Sequence, residues 1–176
     1  AGARRFVQMS AIGADPHSES TYARSKGLGE AAVREAFPGA AVVRPSIVFG
    51  PGDGFFNRFA TLSGLTPALP LIGGGQTRFQ PVYVGDVAEA VARVATDPAL
   101  AGQTVELGGP TVITFEEVLR MIARETGRHR LLLPLPFPVA RAIGSVAQLT
   151  TLVGIPPVLT RDQILTQVSL YWFTNT

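Results

Sequence analysis

Two rhythms run along the chain, short apolar runs and longer stretches with helical spacing, and their order predicts the architecture. Residues 6–9 (FVQM) form a mostly apolar run that fits a buried strand, and SAIGADPHSES after them is loop material. Over residues 21–37 the pattern turns helical, with Leu28, Ala32 and Ala36 four apart and Pro38 and Gly39 closing the helix. Residues 41–43 (AVV) read as a second buried strand, continuing through Arg44 into PSIVFGPGDG. Strand, helix and strand at this spacing predict a βαβ unit, and such crossovers build parallel sheets.

Beyond Gly54 the rhythm changes. FFNRFATLSGL predicts a short helix, LPLIGGG a turn-rich connection and residues 79–84 a strand. A helix is expected over residues 86–96, where Asp86 and Glu89 have the spacing of a capping box. Residues 104–107 read as a strand. Thr114 and Glu117 cap the next helix, FEEVLRMIARETG, whose apolar stripe is Phe115, Val118, Leu119 and Ile122. The apolar stretch over residues 131–159 is broken by Pro134, Pro136, Pro138, Pro156 and Pro157, and holds Arg141, Ser145 and Gln148, so it falls short of the ~20 apolar residues of a membrane span. Val139, Ile143, Val146 and Val153 outline an amphipathic face, to be packed on the chain's own domain or on a lipid or protein partner.

Composition narrows the classes. With 176 residues, 46% apolar and 16% charged, the chain can bury a core of single-domain size. It has no cysteine and only two histidines, His17 and His129, far apart, which excludes a disulfide framework and a thiolate zinc site and argues against any metal centre. A net charge of +2 without a run of Lys or Arg gives nucleic-acid binding no support. The opening AGARRFVQMSAIGADP does not read as a signal peptide. A mean hydropathy of +0.26 is high for a chain without a span and points to a surface that meets a partner or a missing part of the same fold.

Three residues can carry chemistry. Tyr22 and Lys26, four apart on one helix face, place an ammonium near a phenol, and Tyr22 lies in the first turn, where the helix dipole favours negative charge. Both effects are expected to lower the phenol pKa and let Tyr22 trade a proton with a carbonyl or hydroxyl. Ser10, at the C-terminal end of a parallel strand, stands where such sheets place ligand-contacting groups. GLGEAA (residues 27–32) matches a dinucleotide fingerprint, but it lies within a helix instead of opening one and is rejected. GGG at residues 73–75 is a turn; GPGDG at residues 50–54 either lines a cleft or is a plain turn.

MSA, YARSK, VVRPSIVFGPGDGFFNRF and FQPVYVGDVAEAV, in this order and at these intervals, resemble the C-terminal half of an extended or atypical short-chain dehydrogenase/reductase. Within that superfamily the chain is most similar to NAD-dependent epimerase/dehydratase proteins of the branch that includes a nucleotide-binding accessory subunit of respiratory complex I. The resemblance implies an α/β fold, the C-terminal part of a Rossmann-like doubly wound parallel sheet over residues 1–54 with a small α/β substrate- or partner-side subdomain over residues 55–176, and without the N-terminal dinucleotide-binding half. It implies Ser10 as the substrate-polarising serine or its stand-in, Tyr22 as general acid/base, and Lys26 as the residue that holds the nicotinamide ribose and lowers the tyrosine pKa. Pro45, Ser46, Ile47 and Val48 would flank the nicotinamide amide. Sugar-nucleotide enzymes of the superfamily carry Arg-Asp-Phe where this chain has Phe79, Gln80 and Pro81, and the tail after Gln163 departs from the polar ending expected there.

Two functions follow from the resemblance. One is an NAD- or NADP-linked oxidoreductase or epimerase in which Tyr22 moves a proton. The other is a protein that keeps NAD(P) as a structural ligand and docks on a membrane-associated respiratory complex, cytoplasmic or peripheral on the inner face of a membrane. A cofactor-free interaction domain is a third reading, and a homo-oligomer stays open.

Overall fold

The computed structural model describes residues 4–140. In chain order the elements are β1 (Val7–Met9), α1 (Thr21–Ala36), β2 (Ala41–Pro45), β3 (Val48–Phe49), α2 (Phe56–Leu65), β4 (Ala68–Ile72), β5 (Arg78–Phe79), β6 (Val82–Tyr83), α3 (Val84–Thr96), β7 (Thr104–Leu107), β8 (Ile113–Thr114), α4 (Phe115–Thr126) and β9 (Leu131–Leu135). They form two compact units. The first holds the described residues up to Gly50 together with Gln80–Thr111; the second holds Pro51–Phe79 and the described residues from Val112 onward. The first cut falls after Gly50. The return of residues 80–111 is not what a contiguous division expects, and its cause is the sheet: β7 completes the parallel sheet of the first unit.

That sheet has the order β1, β2, β7, with both pairings parallel. The βαβ crossover expected from the spacing is therefore present, β1 and β2 flanking α1. β2 is the central strand, and Ala41, Val42 and Val43 are all buried, as the near-continuous apolar run of a strand covered on both faces requires. Ala41 and Val43 pack with Val94 of α3, and Val7, Val91, Leu100, Val105 and Leu107 close around them.

In α1 the expected stripe is on the wrong side. Leu28, Ala32 and Ala36 are exposed, Leu28 at 54%, and the buried positions are Ala23, Gly27 and Glu30. The buried face consists of two small residues, Ala23 and Gly27, over which a loop passes closely, and a charged one, Glu30, so apolar spacing did not mark it. α3 begins at Val84, two residues before the expected start; Tyr83 is its N-cap without a side-chain bond, and the Asp86 and Glu89 spacing makes no capping box. Asp86 is in the first turn, where its carboxylate suits the dipole.

The second unit centres on aromatic rings. Phe59 of α2 meets Phe115 of α4 at 5.2 Å between centroids, and Phe79 and Phe115 lie 6.2 Å apart, all three buried. Phe115, Val118, Leu119 and Ile122 are buried, as the stripe of α4 predicts. LPLIGGG, expected to be a connection, instead contains strand β4, which pairs in parallel with β9 in a two-stranded sheet. Pro70 and Pro134 hide both strands from a sequence reading, yet proline is tolerated on edges, and a two-stranded sheet has only edges. The single strand expected over residues 79–84 is two: β5 runs antiparallel to β8, and β6 runs parallel to β3. Gln80 and Pro81 separate them, and Val84 already belongs to α3. No helix among the described residues is long and apolar enough to cross a membrane. The amphipathic face through Ile143, Val146 and Val153 and the tail after Gln163 lie outside the described residues.

Candidate functional site

The site grows from the C-terminal ends of β1 and β2. The ladder continues past β1, with Ser10 N–H donating to Val43 O at 2.8 Å and Ile12 N–H to Pro45 O at 3.1 Å. The chain then crosses to α1 through residues 10–20. Ser20 caps α1 by accepting from Ala23 N–H at 3.4 Å, and Arg24 reaches back to Ser18 O at 2.6 Å. Asp15 N–H donates to Ala23 O at 3.2 Å, so the loop lies directly on the first turns of the helix. Gly27 permits this approach: a Cβ there would stand 2.3 Å from the Pro16 nitrogen and 2.4 Å from the Asp15 carbonyl carbon. The glycine that resembled a phosphate-binding fingerprint is a packing glycine inside α1.

With Ala23, Gly27 and Glu30 turned inward, Tyr22 and Lys26 present themselves outward, Tyr22 41% exposed and Lys26 half-buried. The Lys26 ammonium lies over the Tyr22 ring, 5.8 Å from its centroid. Among the described residues neither the phenol hydroxyl nor the ammonium has a hydrogen-bond partner, so both are available to a ligand. The expected lowering of the phenol pKa is not what this arrangement gives. Burial of the ring pushes Tyr22 above the ordinary tyrosine value, and the ammonium sits on the ring face. At neutral pH Tyr22 is a neutral proton donor.

Ser10 joins the same helix elsewhere. It is 5% exposed, and its hydroxyl donates to Glu30 Oε1 at 2.5 Å. Glu30 lies eight residues beyond Tyr22, roughly 12 Å along the axis at 1.5 Å per residue. The structure thus brings Tyr22 and Lys26 together, and ties Ser10 to Glu30 instead of to them. Arg44 Nε donates to Glu30 Oε1 at 2.9 Å and its Nη2 to Oε2 at 2.8 Å, a two-pronged ion pair. Burial alone would raise the Glu30 pKa, but the hydrogen bonds from Arg44 and Ser10 and the charge of Arg44 outweigh it and hold the carboxyl below its usual range. Sequence reasoning missed both residues. The available signal was Arg44 itself, a charge inside the apolar run AVVRP that needs a partner when the strand is buried.

Pro45, Ser46, Ile47 and Val48, the segment expected beside the nicotinamide, are held by backbone bonds. Ser46 N–H donates to Leu107 O at 2.8 Å and Val82 N–H to Ile47 O at 2.9 Å. Gln80, one of the residues that departs from the Arg-Asp-Phe pattern, braces the next loop: its Nε2 donates to Gly109 O at 2.6 Å, and Gly109 N–H donates to Gln80 O at 3.2 Å.

Residues 12–142 match the family described as RmlD substrate binding domain. The chain is 41% identical over 148 residues to mitochondrial NADH dehydrogenase (ubiquinone) 1 alpha subcomplex subunit 9 of Arabidopsis thaliana, covering 82% of this chain and 36% of that protein. To the Mus musculus protein of the same name it is 35% identical, covering 93% and 43%. A ceramide reductase of Caulobacter vibrioides is 33% identical, with 82% and 46% covered. The chain therefore spans less than half the length of these relatives. Among solved structures, UDP-glucose 4-epimerase of Thermus thermophilus in complex with NAD superposes with a TM-score of 0.59 at 25% identity, over 75% of this chain and 51% of that one. dTDP-glucose 4,6-dehydratase of Bacillus anthracis in complex with NAD shares the fold, with a TM-score of 0.62 at 18% identity over 97% and 62%.

Proposed function

Because this chain belongs to the RmlD substrate binding domain family, as a partial NAD-dependent epimerase/dehydratase-like domain, we propose that in a protein of its relatives' length it binds a nicotinamide dinucleotide, with Tyr22 and Lys26 facing the nicotinamide ribose. The observation that carries this is the Tyr22 and Lys26 pair itself: two polar ends without a hydrogen-bond partner among the described residues, on the outer side of α1, where it follows a parallel strand. The segment of Pro45, Ser46, Ile47 and Val48, fixed by its bonds to Leu107 and Val82, suits the flank of the same ligand.

A bound nicotinamide supplies or accepts hydride. Reduction of a carbonyl also requires a proton on the oxygen as hydride reaches the carbon, and Tyr22, a neutral phenol at pH 7, would give it. Lys26 orients that phenol and holds the ribose.

A second reading keeps the dinucleotide and drops the turnover: an accessory or assembly protein of a respiratory complex. Two observations favour it. Ser10 spends its proton on Glu30, so it does not polarise a substrate oxygen, and the Arabidopsis and mouse relatives are named as subunits of NADH dehydrogenase. The Caulobacter relative, named a reductase, favours the first.

Titration of NADH and NADPH, followed by cofactor fluorescence, into a protein extended to its relatives' length tests the shared claim. Binding is expected to survive Tyr22→Phe and to weaken in Lys26→Ala. Any carbonyl reduction found in the wild type should vanish in Tyr22→Phe. Turnover that persists there would remove Tyr22 as the acid, and no binding of either cofactor by the wild type would end the proposal.

A further inference from the structure

Glu30 is a buried carboxylate for which the chemistry above has no use. It is 5% exposed, and three segments converge on it: residues 10–16 through Ser10, α1 one turn beyond Lys26, and β2 through Arg44. Arg44 extends the cluster, donating from Nη2 to Ala14 O and from Nη1 to Glu106 Oε1, each at 3.4 Å.

A serine hydroxyl has one proton, and here it is given to an ionised carboxylate in a charge-assisted bond. Turning that hydroxyl toward a ligand would leave Oε1 with Arg44 Nε alone and forfeit a charge-assisted bond, about twice as strong as a neutral one. Ser10 is therefore a strut. The other two struts come from the Arg44 fork, and with Asp15 N–H on Ala23 O they fix the loop against the turns of α1 that carry Tyr22 and Lys26.

We propose that Glu30 is a positioning residue for the nicotinamide end of the site: through Ser10 and Arg44 it sets where Tyr22 and Lys26 stand relative to the ends of β1 and β2. This rests on the dinucleotide reading. Glutamine has nearly the same shape, but only one of its two terminal atoms accepts: with its oxygen in place of Oε1 it keeps Ser10 and Arg44 Nε and turns its NH2 group on Arg44 Nη2, and flipped it loses both bonds at Oε1. The helix should then shift on its loop, and displacement of about 1 Å at a positioned group can cost up to about 100-fold.

The experiment compares wild type, Glu30→Gln and Ser10→Ala in a protein of the relatives' length. NADH and ADP-ribose, which lacks the nicotinamide, are titrated into each, with far-UV circular dichroism as the check on folding. Glu30→Gln should lose about 10-fold to 100-fold in NADH affinity while ADP-ribose affinity stays nearly the same. Ser10→Ala should fall in the same sense but less, because the Arg44 fork remains. Should Glu30→Gln not fold, Arg44→Lys, which keeps the charge and loses the fork, takes its place. Equal loss of both ligands would make Glu30 a general stabiliser and overturn the proposal, as would unchanged NADH affinity. A larger loss in Ser10→Ala than in Glu30→Gln would overturn it in favour of direct contact by the serine. Absence of NADH binding in the wild type would overturn the dinucleotide reading first, and is seen before any variant is made.

Discussion

Gly27 shows how one missing side chain sets the geometry of the candidate site. In a helix interior, alanine is better than glycine by about 1 kcal/mol, so Gly27→Ala would stabilise α1 if propensity decided. It does not decide here, because the added Cβ meets backbone atoms of Pro16 and Asp15 at 2.3 and 2.4 Å, and backbone does not turn aside as a flexible side chain would. Overpacking of this kind costs about 1–3 kcal/mol, enough to reverse the sign. Gly27→Ala is therefore expected to lower the urea midpoint; a raised midpoint would show that residues 10–16 do not lie against the helix as described. The same close approach explains why Tyr22 and Lys26 face outward, since Ala23, Gly27 and Glu30 occupy the inner side of the helix.

Among the helices, two nearly identical local patterns have opposite outcomes. At α4 the capping box forms: Thr114 Oγ1 accepts from Glu117 N–H at 3.2 Å, and Thr114 N–H donates to Glu117 Oε2 at 2.6 Å. Those bonds from the Thr114 backbone and side chain hold the Glu117 carboxyl below its usual range. At α3 the spacing of Asp86 and Glu89 is the same, but the helix has already begun at Val84, so the first turn is occupied and no box forms. Thr114→Ala should cost about 1 kcal/mol, the usual worth of a side-chain cap. Glu89→Ala, at an exposed position without that role, should stay within about 0.5 kcal/mol. Urea unfolding of the two variants checks the contrast, and equal effects would refute it.

For the molecule as a whole, shifted groups bound the pH range of stability, Glu30 together with Glu117 on the acid side and Tyr22 on the alkaline side. The Glu30 pKa is lower in the folded state than in the unfolded chain, so its contribution is present above the ordinary carboxylate range and is lost as pH falls through the folded value. Tyr22 is shifted the other way by burial; its contribution is present below the ordinary tyrosine value and is lost as pH rises through the higher folded one. Stability is expected to be level between these limits and to fall on both sides. Urea unfolding across pH should show the acid limb flattened in Glu30→Gln and the alkaline limb flattened in Tyr22→Phe. An acid limb unchanged in Glu30→Gln would mean that other carboxylates carry it.

What the sequence determined by itself is what short-range pattern can record. β1, α1, β2, β7 and α4 lie within a residue or two of their expected places, because strand runs, helix caps and proline stops act over a few residues. The parallel crossover was also legible, since strand, helix and strand at that spacing close in only one way. Tertiary structure decided the rest. It buried the face of α1 that holds Ala23, Gly27 and Glu30 and left Leu28, Ala32 and Ala36 outside, because a loop packs closely at Gly27. It made strands of the proline-bearing segments β4 and β9, whose partners stand far apart in sequence, and it divided residues 79–84 between two units. It also turned the hydroxyl of Ser10 to Glu30, since a half-buried Arg44 fixes that carboxylate where the hydroxyl can reach it. A local pattern states which conformation a segment can adopt; which groups meet depends on partners that only the folded chain brings within reach.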